Sequence, residues 1–129
     1  MGPDRTPFSE LGGEDRVREL TDRFYDRMDT DEAYRVIRAL HPADLANARD
    51  RLFKFLCGWL GGPQLYMEEF GHPRLRMRHA PFPIGEQERD EWLGCMAVAM
   101  DEMEIDGVLR RFLDGRFAHV ADFMRNHPG

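Results

Sequence analysis

Cysteine is scarce in this sequence, because the 129 residues contain only Cys57 and Cys95. Small proteins held together by disulfide bonds contain many more cysteines, so a disulfide scaffold is excluded and a reducing compartment is expected. The chain also lacks an apolar run near the ~20 residues of a membrane-spanning helix. Its first residues show neither the basic start nor the apolar segment of a signal peptide. We therefore expect a cytoplasmic protein that does not bind membranes.

Positive charge is also in short supply. Lys and Arg number 18 against 24 Asp and Glu, so the formal net charge is −6. Nucleic acids and anionic membranes both select proteins with a basic face, so neither is expected as a partner. One segment departs from this balance: residues 71–85 contain three arginines and no acidic residue, which makes them +3 and the remaining chain −9. Such a segment can hold an anionic cofactor on an otherwise acidic protein.

Several catalytic and metal-binding motifs are missing. No cluster of His, Cys, Asp or Glu has the spacing of a zinc or calcium site. The nucleophile elbow, the Walker motif and the dinucleotide-binding glycine pattern are absent, and the cysteines do not form a CxxC pair. These absences remove the corresponding hydrolases, nucleotide-binding enzymes and dithiol oxidoreductases from consideration.

Apolar residues recur every three or four positions along most of the chain, which predicts helices rather than strands. We find no repeat and no long linker, so residues 1–129 are expected to form one all-α domain with flexible tails at 1–7 and 126–129. The expected helices run from after Gly12–Gly13 through Met28, from Ala33 to a stop at His41–Pro42, from Leu45 to Trp59, from about Glu86 to Asp106–Gly107, and from Leu113 to Met124.

Residues 64–85 interrupt this helical pattern with prolines and glycines. The segment is expected to be mostly loop, with one or two short helical turns. Connections in helical bundles usually have ~2–8 residues. A longer irregular connection in a small domain indicates a place where a ligand or a partner binds.

His79 is the first candidate functional residue in that segment. A short helix would put Leu75 and His79 on one face, and Pro81 would end it. Imidazole is the usual axial ligand of haem iron in oxygen-binding proteins, and arginines suit the carboxylates of the haem propionates. The alternative from spacing alone is an exposed basic loop with an incidental histidine.

Tyr25 and Trp92 are the second candidates. Tyr25 lies at the margin of the first apolar stripe, and Trp92 begins the apolar face of the long fourth helix. Each has an apolar body and one polar tip that needs a hydrogen-bond partner when buried. Facing one cavity, they would stabilise a partly anionic ligand; otherwise they are two aromatic residues of the core.

The central segment resembles the main motif of the group II truncated haemoglobins. The matching residues are Gly61-Gly62-Pro63, Tyr66 and the unbroken run from Gly71 to Phe82. Phe24-Tyr25 upstream and the run from Arg89 to Leu93 downstream match the same family in order and spacing. The resemblance covers residues 8–125, nearly the whole chain.

This resemblance implies a shortened globin fold, in which two antiparallel helix pairs enclose haem b. It assigns His79 as the proximal iron ligand, with its other ring nitrogen donating to a backbone carbonyl. It places Tyr25 and Trp92 on the distal side, where they hydrogen-bond to a ligand on the iron. Further residues expected around the haem are Phe24, Ala48, Leu52, Leu75, Met77 and Phe82, with Arg76 and Arg78 at the propionates.

His41 is the main departure from the family pattern, which often has tyrosine or phenylalanine at that position. The side chain could donate a third distal hydrogen bond, coordinate the iron as a sixth ligand, or face solvent. We expect the hydrogen-bonding role, because the position should border the distal pocket.

The function implied is reversible binding of dioxygen, carbon monoxide, nitric oxide or a similar small ligand by a monomer or homodimer. One alternative is a haem-dependent redox enzyme that oxidises nitric oxide or uses peroxide. Such an enzyme would need an external reductase, because the chain has no flavin or nicotinamide domain. A more remote alternative is a haem-free helical interaction module.

Overall fold

A computed structural model of the protein describes residues 5–127, and within this range the secondary structure is helical, without strands. The predicted all-α class is therefore confirmed. A 3-10 turn, Glu32–Tyr34, precedes the third α-helix. The α-helices are α1 Pro7–Leu11, α2 Glu14–Thr30, α3 Arg35–Ala39, α4 Ala46–Trp59, α5 Leu65–Phe70, α6 Leu75–His79, α7 Glu86–Glu102 and α8 Gly107–Phe123.

The four long helices enclose the hydrophobic core. Helix α2 packs against both α4 and α7, and α7 packs against α8. The apolar stripe predicted on α2 is buried throughout, and the middle of α8 is buried at Leu113 and Phe117. Burial of one face of each helix is what the three-and-four spacing predicts. None of the helices in residues 5–127 combines the length and the apolar character needed to cross a membrane.

Helix α7 begins at Glu86 as predicted but ends at Glu102, four positions before Asp106. The reason lies in the turn that follows, where Glu104 adopts a left-handed backbone conformation with φ of 57°. This turn lets the Met103 N–H donate to the Ala99 carbonyl and the Ile105 N–H donate to the Met100 carbonyl. Met103 and Ile105 both become buried, which a continued helix would not allow for both.

Residues at both ends of the described chain make hydrogen bonds to the rest of the fold; the expected flexibility of the tails stays a prediction. Thr6 caps helix α1, and the Phe8 N–H donates to the Leu60 carbonyl at 2.9 Å. The N–H groups of Asn126 and His127 both donate to the Ile84 carbonyl, at 2.8 and 3.1 Å. The rest of the expected tails, residues 1–4 and 128–129, lies outside the described residues.

The interrupted segment 64–85 contains two short helices, as predicted. Helix α5 packs against α4, whereas α6 lies between Pro73 and Pro81. Arg74, at the start of α6, has a left-handed φ of 48°. The sharp change of direction there separates α6 from α5 and positions the side chains of the candidate site.

Candidate functional site

His79 forms the last residue of α6, and its side chain is half-buried. Its Nδ1 atom lies 2.7 Å from the carbonyl oxygen of Leu75, one helical turn earlier. Because a carbonyl oxygen can only accept, Nδ1 carries a proton, and in the neutral ring Nε2 then has a free lone pair. Nε2 makes no hydrogen bond within residues 5–127. A neutral imidazole oriented by a backbone carbonyl is the usual state of a metal-binding histidine.

The arginines beside His79 lie at the surface in different surroundings. The Arg76 Nε–H donates to the Phe123 carbonyl at 3.1 Å, and the guanidinium stacks 4.6 Å from the centre of the Phe123 ring. The Arg78 Nε–H donates to the Pro73 carbonyl at 2.8 Å, and the guanidinium lies 5.7 Å from the ring centre of Tyr66. Within residues 5–127, neither arginine pairs with a carboxylate. Both terminal amino groups of each remain available to an anion.

Tyr66 is a site residue that the sequence reasoning missed as an individual candidate. Its side chain is buried, and its hydroxyl makes no hydrogen bond within the described chain. It lies under Arg78, so the two side chains bring a phenol and a guanidinium close together. The available signal was the position of Tyr66 inside the central motif.

Phe24, Tyr25 and Trp92 belong to one aromatic cluster. The ring centre of Phe24 lies 4.9 Å from that of Tyr25 and 5.2 Å from that of Trp92. Both pairs meet edge to face, which is a favourable geometry for aromatic rings. Trp92 in turn lies 5.7 Å from Phe117 on α8. Helices α2, α7 and α8 thus hold the two candidate donors around the fully buried Phe24 ring.

The polar ends of Tyr25 and Trp92 have no partner within residues 5–127. Tyr25 is only 6% exposed. Burial also raises the pKa of the Tyr25 phenol far above its usual range, so the group stays protonated and can donate a hydrogen bond. The hydroxyl is not sealed from solvent, so it is free to donate a hydrogen bond to a ligand.

His41 lies beside Tyr25, with 5.8 Å between the ring centres. Its Nδ1 atom is 2.9 Å from the Ile37 carbonyl oxygen, so the ring proton is again on Nδ1. Burial lowers the pKa of His41; the hydrogen bond to Ile37 opposes this shift, and the charge of Arg38 adds to it. The neutral ring therefore presents an acceptor at Nε2. The expected donor role would need a proton on Nε2, so it stays a prediction; His41 lies at the edge of the aromatic cluster.

The remaining pocket predictions fall into two groups. Ala48 and Leu52 on α4 are half-buried against the core, and Leu75 shares the helical face of His79. Met77 is 60% exposed, and Phe82 is 41% exposed. Met77 lies two positions before His79 and so points about 200° around the helix from it, and its place in the pocket stays a prediction.

Comparisons with known proteins show the family of the chain. The family model described as bacterial-like globin matches residues 6–126. The chain is 42% identical over 126 residues to the group 2 truncated hemoglobin YjbI of Bacillus subtilis, covering 98% of this chain and 93% of that protein.

Solved structures of truncated haemoglobins resemble this chain in fold as well as in sequence. The group II 2-on-2 hemoglobin of Agrobacterium tumefaciens superimposes with a TM-score of 0.92 at 43% identity, covering 99% of this chain and 98% of that chain. The cold-adapted truncated hemoglobin of Pseudoalteromonas haloplanktis also gives a TM-score of 0.92, at 41% identity, covering 95% of this chain and 99% of that one. The chain therefore belongs to the bacterial-like globin family, with the truncated two-on-two globin fold, and is a haem protein that binds small ligands.

Proposed function

We propose that the protein binds haem b through His79 and holds dioxygen, carbon monoxide or nitric oxide on the side of Tyr25 and Trp92. The observation that carries the proposal is the His79 tautomer. The 2.7 Å contact between Nδ1 and the Leu75 carbonyl orients the ring and leaves the Nε2 lone pair for the iron. The haem would supply an iron centre at which a diatomic gas binds reversibly.

The distal part of the proposal rests on unpaired donors. The Tyr25 and Trp92 rings pack against the same Phe24 ring. The Tyr25 hydroxyl and the Trp92 indole N–H make no hydrogen bond within residues 5–127. Both would donate hydrogen bonds to a ligand that carries partial negative charge. Because Tyr25 is buried, these bonds form with little competition from water. Slow release of dioxygen follows, which suits sensing, scavenging or redox chemistry better than bulk transport.

His41 would act on the same side as an acceptor. With its proton committed to the Ile37 carbonyl, Nε2 can accept from the Tyr25 hydroxyl or from a water molecule. It cannot donate to the ligand unless it becomes protonated, and its lowered pKa opposes protonation at neutral pH. The neutral ring thus fits the role of orienting the Tyr25 hydroxyl.

Arg78 is our choice for the propionate contact, together with Tyr66. The Arg78 guanidinium lies over the Tyr66 ring and offers its terminal amino groups to a carboxylate. Arg76 also keeps its terminal amino groups free but stacks on Phe123 at the end of α8, and it is the alternative contact. The free, buried cysteines agree with our proposal of a cytoplasmic location.

The optical spectrum of the protein titrated with haemin tests the proposal. The parent should bind one haemin per chain and show a Soret band that shifts when the reduced protein meets carbon monoxide. His79→Ala should lose most of the haem affinity. His119→Ala is the matched control, because His119 lies exposed on α8, and it should bind haemin like the parent. Failure of the parent to bind haemin, or unchanged affinity in His79→Ala, would overturn the proposal.

A further inference from the structure

Helix α6 is too short to hold His79 in place by itself. It has five residues, whereas isolated helices below ~12–15 residues are marginal in water. Unlike the long helices, it does not pack broadly against any other helix of the described chain. Other contacts must therefore fix the position of its last residue, His79.

Asn126 supplies several of these contacts. Its side-chain Nδ2–H groups donate to the carbonyl oxygens of His79 at 3.3 Å and Phe82 at 2.9 Å. Its Oδ1 atom accepts from the N–H of Ile84 at 2.9 Å, and its own backbone N–H donates to the Ile84 carbonyl at 2.8 Å. One amide side chain thus binds the backbone of His79 and of two residues in the turn that leads to α7.

A second contact joins the same two parts of the chain. Arg76 donates to the Phe123 carbonyl and stacks on the Phe123 ring. Phe123 ends α8, whose middle is fixed in the core by Leu113 and Phe117. Phe123 at the end of α8 and Asn126 just beyond it therefore contact α6 at Arg76 and His79, about one helical turn apart.

We infer that Asn126 is a positioning residue for His79, so that the end of the chain sets the geometry of the proximal ligand. The inference rests on the proposed function of His79. By binding the His79 carbonyl and the following turn, Asn126 keeps the last turn of α6 closed. The Leu75 carbonyl then stays aligned with Nδ1 of His79. Loss of the clamp would let α6 open while the core remains folded.

Amide hydrogen exchange of the haem-free full chain tests the clamp without any cofactor. Asn126→Ala removes the side-chain hydrogen bonds of Asn126 to His79, Phe82 and Ile84. The backbone amide protons of Ile84 and Phe82 should then exchange about tenfold faster. Asn126→Asp keeps an acceptor for the Ile84 N–H but loses both donations. It should leave Ile84 protected while Phe82 exchanges faster. His127→Ala is the control, since within residues 5–127 its side chain makes one hydrogen bond, to Asn126 Oδ1, and none to α6 or to the Phe82–Ile84 turn.

Haemin release and the iron–histidine stretching frequency then test the effect on His79. We expect Asn126→Ala and Asn126→Asp to release haemin about tenfold faster than the parent and His127→Ala, with a shifted frequency. The inference would be overturned if the Asn126 variants exchanged their amide protons at the rates of the control. It would also be overturned if haemin release were faster but the stretching frequency were unshifted and thermal stability fell in proportion. If the parent binds no haemin, the proposed function fails, whereas the exchange experiment still reports whether the clamp exists.

Discussion

Replacing Tyr25 by phenylalanine should stabilise the haem-free protein while weakening its hold on a ligand. The Tyr25 side chain is buried except for 6% of its surface, and its hydroxyl makes no hydrogen bond within residues 5–127 but keeps some contact with solvent. A buried polar group without a partner costs roughly 1–3 kcal/mol. The remaining 6% exposure of Tyr25 allows some contact with water, so the lower end of this range applies. Tyr25→Phe should therefore raise the free energy of unfolding by about 1 kcal/mol.

This free energy corresponds to a measurable change in thermal stability. The unfolding entropy of a chain of 129 residues is about 0.27 kcal/mol/K, so Tm should rise by about 4 °C. Circular dichroism of the haem-free protein measures the shift. Tyr34→Phe is the matched control, because Tyr34 is only half-buried and lies outside the aromatic cluster. It should change Tm by less than about 1 °C.

The haem-loaded variant should show the opposite sign in its ligand binding. Loss of one hydrogen bond to a partly anionic ligand costs roughly 1.5–3 kcal/mol, so dioxygen release should accelerate roughly tenfold to a hundredfold. Stopped-flow displacement of dioxygen by carbon monoxide measures this rate. A fall in Tm would show that the hydroxyl already has a stabilising partner. An unchanged release rate would show that Tyr25 does not contact the ligand.

Three further predictions concern the core and the distal side. Burial raises the pKa of the Cys57 thiol to about 11 and that of the Cys95 thiol to about 12. Neither thiol should therefore react with a thiol reagent at neutral pH until the protein unfolds. Rapid labelling of the native protein would contradict this prediction. Because the pKa of His41 is lowered in the folded state, its contribution to stability is complete above about pH 6.5 and is lost as the pH falls below that value. The haem-free His41→Phe variant should thus lose less stability between pH 7 and 5 than the parent, and parallel curves would refute the assignment. Trp92→Leu in the haem-loaded protein should speed dioxygen release roughly tenfold, and combining it with Tyr25→Phe should speed release further. If the double variant released dioxygen at the parent's rate, the distal assignment of Tyr25 and Trp92 would be ruled out.

The helices and their buried faces were predictable because both depend on residues close together along the chain. Val17, Leu20, Phe24 and Met28 repeat with the period of an α-helix, and all four are buried. The end of α7 was not predictable in the same way. It depends on the left-handed turn at Glu104, which buries Met103 and Ile105 together, and no local rule selects that conformation for a glutamate.

The candidate site, too, was predictable from the sequence only in part. The family resemblance selected His79, Tyr25 and Trp92 from residues and spacing, and the short helix placing Leu75 one turn before His79 followed from local pattern. The position of the ring proton of His41 could not be predicted from the sequence, because it depends on where the ring lies relative to the Ile37 carbonyl. The donor role expected for His41 from the sequence therefore stays a prediction.

Composition and local spacing were sufficient to determine the helical class, the buried faces of the helices and the region that carries the site. These properties arise from the periodicity of single helices and from the short motif around His79. Tertiary structure alone decided which polar groups are paired. Asn126, expected in a flexible tail, binds the carbonyl of a residue 47 positions away, and the Tyr25 hydroxyl is left without a partner in residues 5–127. Hydrogen bonds between distant parts of the chain form only when packing brings them within about 3 Å, so no local pattern encodes them.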